Sequence, residues 1–191
     1  MSFANEARKV REQQRPYGAR VNALCHCLEL YCPLGFQLSL DYLQRYAGTF
    51  WRHRHAVPRA PETDAALLTA IRLIEESRNL QTAAAAVYAT ERAEQKARGR
   101  RSPHPRETTP WYPGRWHADP RGAALFVLER SAPPTCLKPL IDTALTGDRS
   151  PELQLEVLDA TGRLRRELED LATRVPYLRL AEHLRVAVGA Y

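Results

Sequence analysis

The side chains best equipped for chemistry in this 191-residue chain are its four cysteines, six histidines and many arginines. Cys25, His26, Cys27 and Cys32, with His53, His55 and the distant Cys136, supply sulfur and nitrogen atoms of the kind that hold zinc. Their spacing argues against a metal centre. Zinc ligands come in pairs separated by two to five residues and folded around turns. Cys25 and Cys27 are instead two apart within a predicted helix, where they project about 200° from one another. Cys25 and Cys32 fall on that helix's apolar stripe, where a free cysteine serves as a small core residue. No metal and no cofactor is expected.

His53 and His55 alternate with Arg52 and Arg54. Imidazole titrates near neutrality, so such a pair could supply acid and base for metal-independent RNA cleavage. No nucleophile or oxyanion-stabilising motif accompanies them, and a solvated basic helix end explains the run more simply. The phosphate-loop, nucleophile-elbow, zinc-protease and dinucleotide-binding motifs are all missing from the sequence. The chain therefore reads as non-catalytic, with a ribonuclease as a lesser alternative.

The richest constellation is Gly99 to Gly122, GRRSPHPRETTPWYPGRWHADPRG, with five of the fourteen prolines and two of the three tryptophans. Arg98, Arg100, Arg101, Arg106 and Arg115 interleave there with Trp111, Tyr112 and Trp116. Arginine beside accessible aromatics suits a groove that follows a nucleic-acid backbone and stacks bases, at about 1–3 kcal/mol per base. A connection longer than roughly 12–15 residues is usually functional or disordered. Two alternatives stand beside this one. The tryptophans could pin the loop to a helical body, or the stiff, proline-rich segment could dock a protein partner with little loss of entropy.

Charge is distributed unevenly around a net of +6. Residues 1–20 carry five cations against two acids, residues 45–59 four cations and no acid, and residues 92–121 eight cations against three acids. Arg52 and Arg54 belong to the second island. A GC-rich coding sequence raises arginine by itself, but the guanidinium fork is also the better ligand for phosphate. Three islands converging on one face would attract a polyanion.

Helices must position these groups. Val21, Leu24, Cys25, Leu28, Tyr31 and Cys32 recur at helical spacing, as do Leu40, Leu43, Tyr46, Ala47 and Phe50. Thr63 or Asp64 is suited to cap a third helix with Leu67, Ala70, Ile71 and Ile74 inside. The stretch Asn79 to Arg101 resembles a helix-turn-helix unit in part, with Leu80, Ala83, Ala84 and Val87 followed by Thr90 where a second helix would begin. Tyr88 stands where the turn glycine belongs and Glu94 where an apolar residue should be buried, so one continuous alanine-rich helix is the reading taken.

Asp119-Pro120 is a cap and first-turn proline, although the following Ala-Leu-Phe-Val-Leu could also be a buried strand. Val157, Thr161, Leu164, Leu168, Leu171 and Val175 form a heptad-like stripe that Pro176 should end, and a closing amphipathic helix runs from Tyr177 to Tyr191. That stripe packs within the chain or forms a dimer seam.

The expectation is an all-α or mainly α protein, an irregular multi-helix bundle with a long Pro/Trp-rich basic loop. It reads as one compact domain: a basic arm over 1–18, a helical part over 19–98, the loop over 99–122 and a second helical part over 123–191. With no signal-peptide core and no membrane-length apolar run, it reads as cytoplasmic. Its expected role is that of a non-catalytic accessory protein binding DNA or RNA; a protein adaptor using the 99–122 loop or the 157–175 stripe is the alternative.

Overall fold

The computed structural model describes residues 2–52, 55–100, 116–167 and 171–190, with the backbone alone for 171–174. Eight helices and one two-stranded ladder occupy these residues, giving the mainly α architecture that the periodicities predict. The chain divides into two compact units, Met1–Thr90 and Glu91–Tyr191. The sequence reads as one domain with divisions after 18, 98 and 122; the division between the two units falls inside the helix Pro61–Ala97.

In the first unit, α1 (Phe3–Arg11) is capped by Ser2, whose Oγ accepts from the Asn5 N–H at 3.4 Å. Phe3, Ala7 and Val10 are buried, and α1 packs along α2 (Tyr17–Leu30). Within the 1–18 segment, α1 is therefore a wall of the core and not an arm. A three-residue apolar stripe in a highly charged segment is enough to dock it. In α2 the buried thiol is Cys27 and Cys25 is half-buried, while Cys32, also half-buried, lies beyond the helix end. The sequence assumed one buried face, but α2 meets α1, α3 (Phe36–Ala47) and the ladder, so its apolar surface spreads further around the helix.

Gly48 ends α3 at φ +103°, and a Cβ there would stand 3.1 Å from that of Ala66, so only glycine fits. The early stop frees Trp51–Arg52 as β1, antiparallel to β2 (His55–Ala56), with Trp51 opposite Ala56 and Arg52 opposite His55. Within α3 the spacing places Tyr46 inside, and the structure places Tyr42 there instead. Tyr42 is buried, whereas Tyr46 is 49% exposed.

The 37-residue α4 (Pro61–Ala97) buries Leu67, Ala70, Ile71 and Ile74, as its spacing predicts. Thr63 lies in its first turn, where its hydroxyl accepts from the Ala60 N–H at 2.8 Å. The helix passes through Asn79 and Tyr88 without a turn, so there is no helix-turn-helix geometry. From Arg78 to Ala97 none of its residues is buried.

The second unit contains α5 (Pro120–Arg130), α6 (Lys138–Leu145), α7 (Pro151–Glu167) and α8 (Leu171–Val188). Asp119 caps α5 by accepting from the Gly122 N–H at 2.9 Å, and the ambiguous apolar run is helix, not strand. Ser150 opens α7, accepting from the Leu153 N–H at 3.3 Å. α8 packs against α5, α6 and α7 around Leu128, Ile141, Val157, Leu164 and Leu184. Pro176 lies in the second turn of α8 instead of ending the helix before it. So close to a helix start, proline removes a single ladder bond, which packing further along outweighs.

Candidate functional site

The three basic islands have different fates. The amino-terminal island is neutralised by its own unit. Lys9 Nζ lies 2.6 Å from Glu6, Arg8 lies 3.6 Å from Glu12, and Arg15 bonds the same Glu12. Arg11 makes a two-pronged pair with Glu75 of α4, which pushes the guanidinium's pKa further up. Arg20 is fully buried: its Nε donates to the Val10 carbonyl at 2.7 Å and its Nη1 to Asp64. That single side chain joins α1, α2 and α4. Each cation between residues 8 and 20 thus faces a carboxylate.

Glu6 shows the cost of such burial. Its side chain is 3% exposed. A hydrogen bond from Lys9 holds its carboxyl below the usual value, against the opposing effect of burial, and His26 adds a weaker bond at 3.4 Å.

In the second island Arg52 is exposed on β1 and His55 on β2, while His53 and Arg54 lie outside the described residues. Among the described residues, the His55 side chain makes no hydrogen bond, so no partner orients it as an acid or base. Arg59, Ala60, Pro61 and Asp64 line a cleft of about 320 Å³ at the start of α4. It mixes both charges, and the Asp64 carboxylate is already bonded to Arg20.

The third island is different again. Arg92, Lys96, Arg98 and Arg100 are all exposed at the end of α4. Glu94 lies 3.8 Å from Arg98. Among the described residues Arg92, Lys96 and Arg100 enter no ion pair. Tyr88, Arg92 and Lys96 repeat every four residues and share one face of the helix. Arg100 follows the αL turn at Gly99, φ +67°, where its N–H bonds the Gln95 carbonyl at 2.9 Å.

Of the other expected contacts, Arg101, Arg106, Trp111, Tyr112 and Arg115 lie outside the described residues. Trp116 is 1% exposed. It is a packed indole and not a stacking platform, because the fold has already used its face. Arg121, nominally part of the basic loop, donates from Nε to the Ala187 carbonyl at 3.1 Å and so serves the end of α8.

Cys25 and Cys27 are held as thiols by their position, whereas Cys136 is exposed. Burial raises the Cys27 thiol to about 12 and the Cys25 thiol to about 11, which leaves almost no thiolate at neutral pH. Among the described residues no three His, Cys, Asp or Glu side chains are grouped to hold a metal. Among them, too, no helix is long and apolar enough to cross a membrane.

Sequence reasoning missed a buried polar set in the second unit. Glu182 and His183 on α8, and His117 before α5, are each less than one-tenth exposed. Arg185 Nη1 stands 3.7 Å from Glu182. The signal was available: Leu180 to Val188 is apolar around most of its circumference, and a helix apolar all round is enclosed. Comparison of the chain with known protein families, curated proteins and solved structures finds no match.

Proposed function

We propose that this protein binds a polyanion, with DNA or RNA as the class that fits, through the cations that close α4 and the basic segment that follows. The role is that of an accessory binding protein rather than a catalyst. The observation that carries this reading is the contrast between two islands. The cations at 8–20 are matched by carboxylates of their own unit, whereas Arg92, Lys96 and Arg100 stand exposed without ion pairs among the described residues. Unmatched surface cations release counterions on meeting phosphates, which drives association at low salt.

The test is fluorescence anisotropy with labelled single-stranded and duplex oligonucleotides. Log affinity should fall with log salt at about 0.9 per duplex phosphate contacted, or about 0.7 for a single strand. Reversing Arg92, Lys96 and Arg100 to glutamate should weaken binding by about tenfold or more and flatten the salt slope. Reversing the ion-paired Arg8 and Arg15 should do less. Absence of binding at low salt rejects the proposal.

A protein-docking role is the second reading, favoured by Leu80 and Val87, which are 45% and 52% exposed on the same stretch of α4. It predicts a complex that nuclease treatment leaves intact and that Leu80→Glu disrupts.

A further inference from the structure

We infer that the chain self-associates as an antiparallel dimer through the outward face of α7. This helix turns Leu153, Val157, Ala160 and Leu164 into the core of its unit. The opposite face carries a second stripe at i, i+3, i+7: Leu155, 67% exposed, Leu158, 37% exposed, and Gly162. Of the stripe expected to form a dimer seam, Val157, Thr161 and Leu164 face inward, Val175 is exposed, and Leu168 and the Leu171 side chain lie outside the described residues. On the outward stripe Leu155 and Leu158 stay exposed.

Two observations indicate another copy of the same helix as its cover. The first is the order of charge. Along the flank of this stripe Glu152 comes first and Arg166 last, both exposed, and between them Asp159 and Arg163 are paired with each other at 3.0 Å. A second α7 laid antiparallel and centred near Asp159 brings Glu152 opposite Arg166 of the other copy, and two-fold symmetry repeats the pair. A parallel copy sets this flank against the other one, which carries Gln154 and Arg165, and makes no such pair. The second observation is Gly162. A Cβ there would meet Arg166 Nη1 at 3.7 Å, an ordinary contact, so nothing among the described residues requires glycine. Glycine within a helix lowers its stability relative to alanine, and its use is the close approach of another backbone. A face about 25 Å long covers less than the roughly 800 Å² per partner of a standard interface, so the dimer is weak and depends on concentration.

Acids early and cations late also suit the dipole of an isolated helix, and the experiment separates the two explanations. Sedimentation equilibrium of the intact chain, run from micromolar to about millimolar concentration, should show monomer and dimer in exchange. Leu155→Glu should weaken association about tenfold or more, with unchanged circular dichroism because Leu155 is exposed. Glu152→Arg should also weaken it, and adding Arg166→Glu should restore it, although the swapped charges oppose the helix dipole and lower Tm. Gly162→Ala should raise Tm while weakening association. A monomer throughout the range overturns the inference. So does association that Leu155→Glu leaves unchanged, or a charge-swapped variant that associates no better than Glu152→Arg.

Discussion

A carboxylate that leaves water needs a cation within reach, and Glu6 shows how that requirement uses up the first basic island. Lys9 holds its carboxyl ionised at 2.6 Å, and the pKa falls below the ordinary 4.5. Because the folded value is depressed, the stabilisation is complete above about pH 4.5 and is lost as pH falls through the lower folded value. Glu6→Gln should therefore destabilise the protein near neutrality by about 1 kcal/mol, the worth of a charge-assisted bond with one partly exposed partner. Urea unfolding at a series of pH values should show the gap between parent and variant constant above pH 5 and closing in more acid solution. A gap that is the same at every pH would mean that the carboxylate is not held in this way. Arg20 belongs to the same logic. Its guanidinium is enclosed, and its bonds to Val10 and Asp64 keep that charge tolerable. Counting charges along the chain could not reveal this, because Asp64 and Glu75 lie some 44 and 64 residues from the cations they meet.

Elements were legible where one face is apolar and opaque where several are. The buried positions of α4, Leu67 to Ile74, follow directly from spacing, and the cap at Asp119 from the residue types there. In α2 the spacing places Val21, Leu24, Leu28 and Tyr31 inside correctly but misses Cys27, because the helix is contacted from several sides; in α3 it places Leu40 and Leu43 correctly but not Tyr46, which is exposed. The packing around α2 leaves no local trace in the sequence, whereas the end of α3 does, since Gly48 is the residue that closes it. Within the candidate site, the exposure of Arg98 and Arg100 follows from the helix end that Gly99 marks, but the burial of Trp116 does not follow from its neighbours. Pro176 is the clearest case of packing overriding a local signal. It sits inside α8 and leaves the carbonyl four residues before it without its ladder bond. Proline in a helix interior costs about 3 kcal/mol, part of which is relieved near the helix start. Pro176→Ala should accordingly raise stability by about 1 kcal/mol or more, read as a higher Tm. A lower Tm would show that the ring itself makes a contact the helix needs.

For the whole molecule, the decisive feature is that the two compact units share one helix. α4 runs from a buried first half in Met1–Thr90 to an exposed second half that enters Glu91–Tyr191. The core residues Leu67 to Ile74 lie at one end of it, and the cations proposed to meet a polyanion lie at the other. Stability and binding are thus assigned to different turns of the same element. Ala86→Pro tests that separation. Residue 86 is exposed, nine positions beyond Ser77, the last buried residue of α4, and proline there breaks the ladder at a cost of about 3 kcal/mol. Amide hydrogen exchange should show protection lost over residues 83–90 but kept over Leu67–Ile74 and Leu184–Val188, because neither core depends on that turn. Oligonucleotide affinity should fall even so, since the helix that orders Arg92 and Lys96 is interrupted upstream. If both cores instead lost protection together, the chain would be one cooperative body. The exposed half of α4 would then be a structural strut, and its cations would owe their positions to the fold rather than to a ligand.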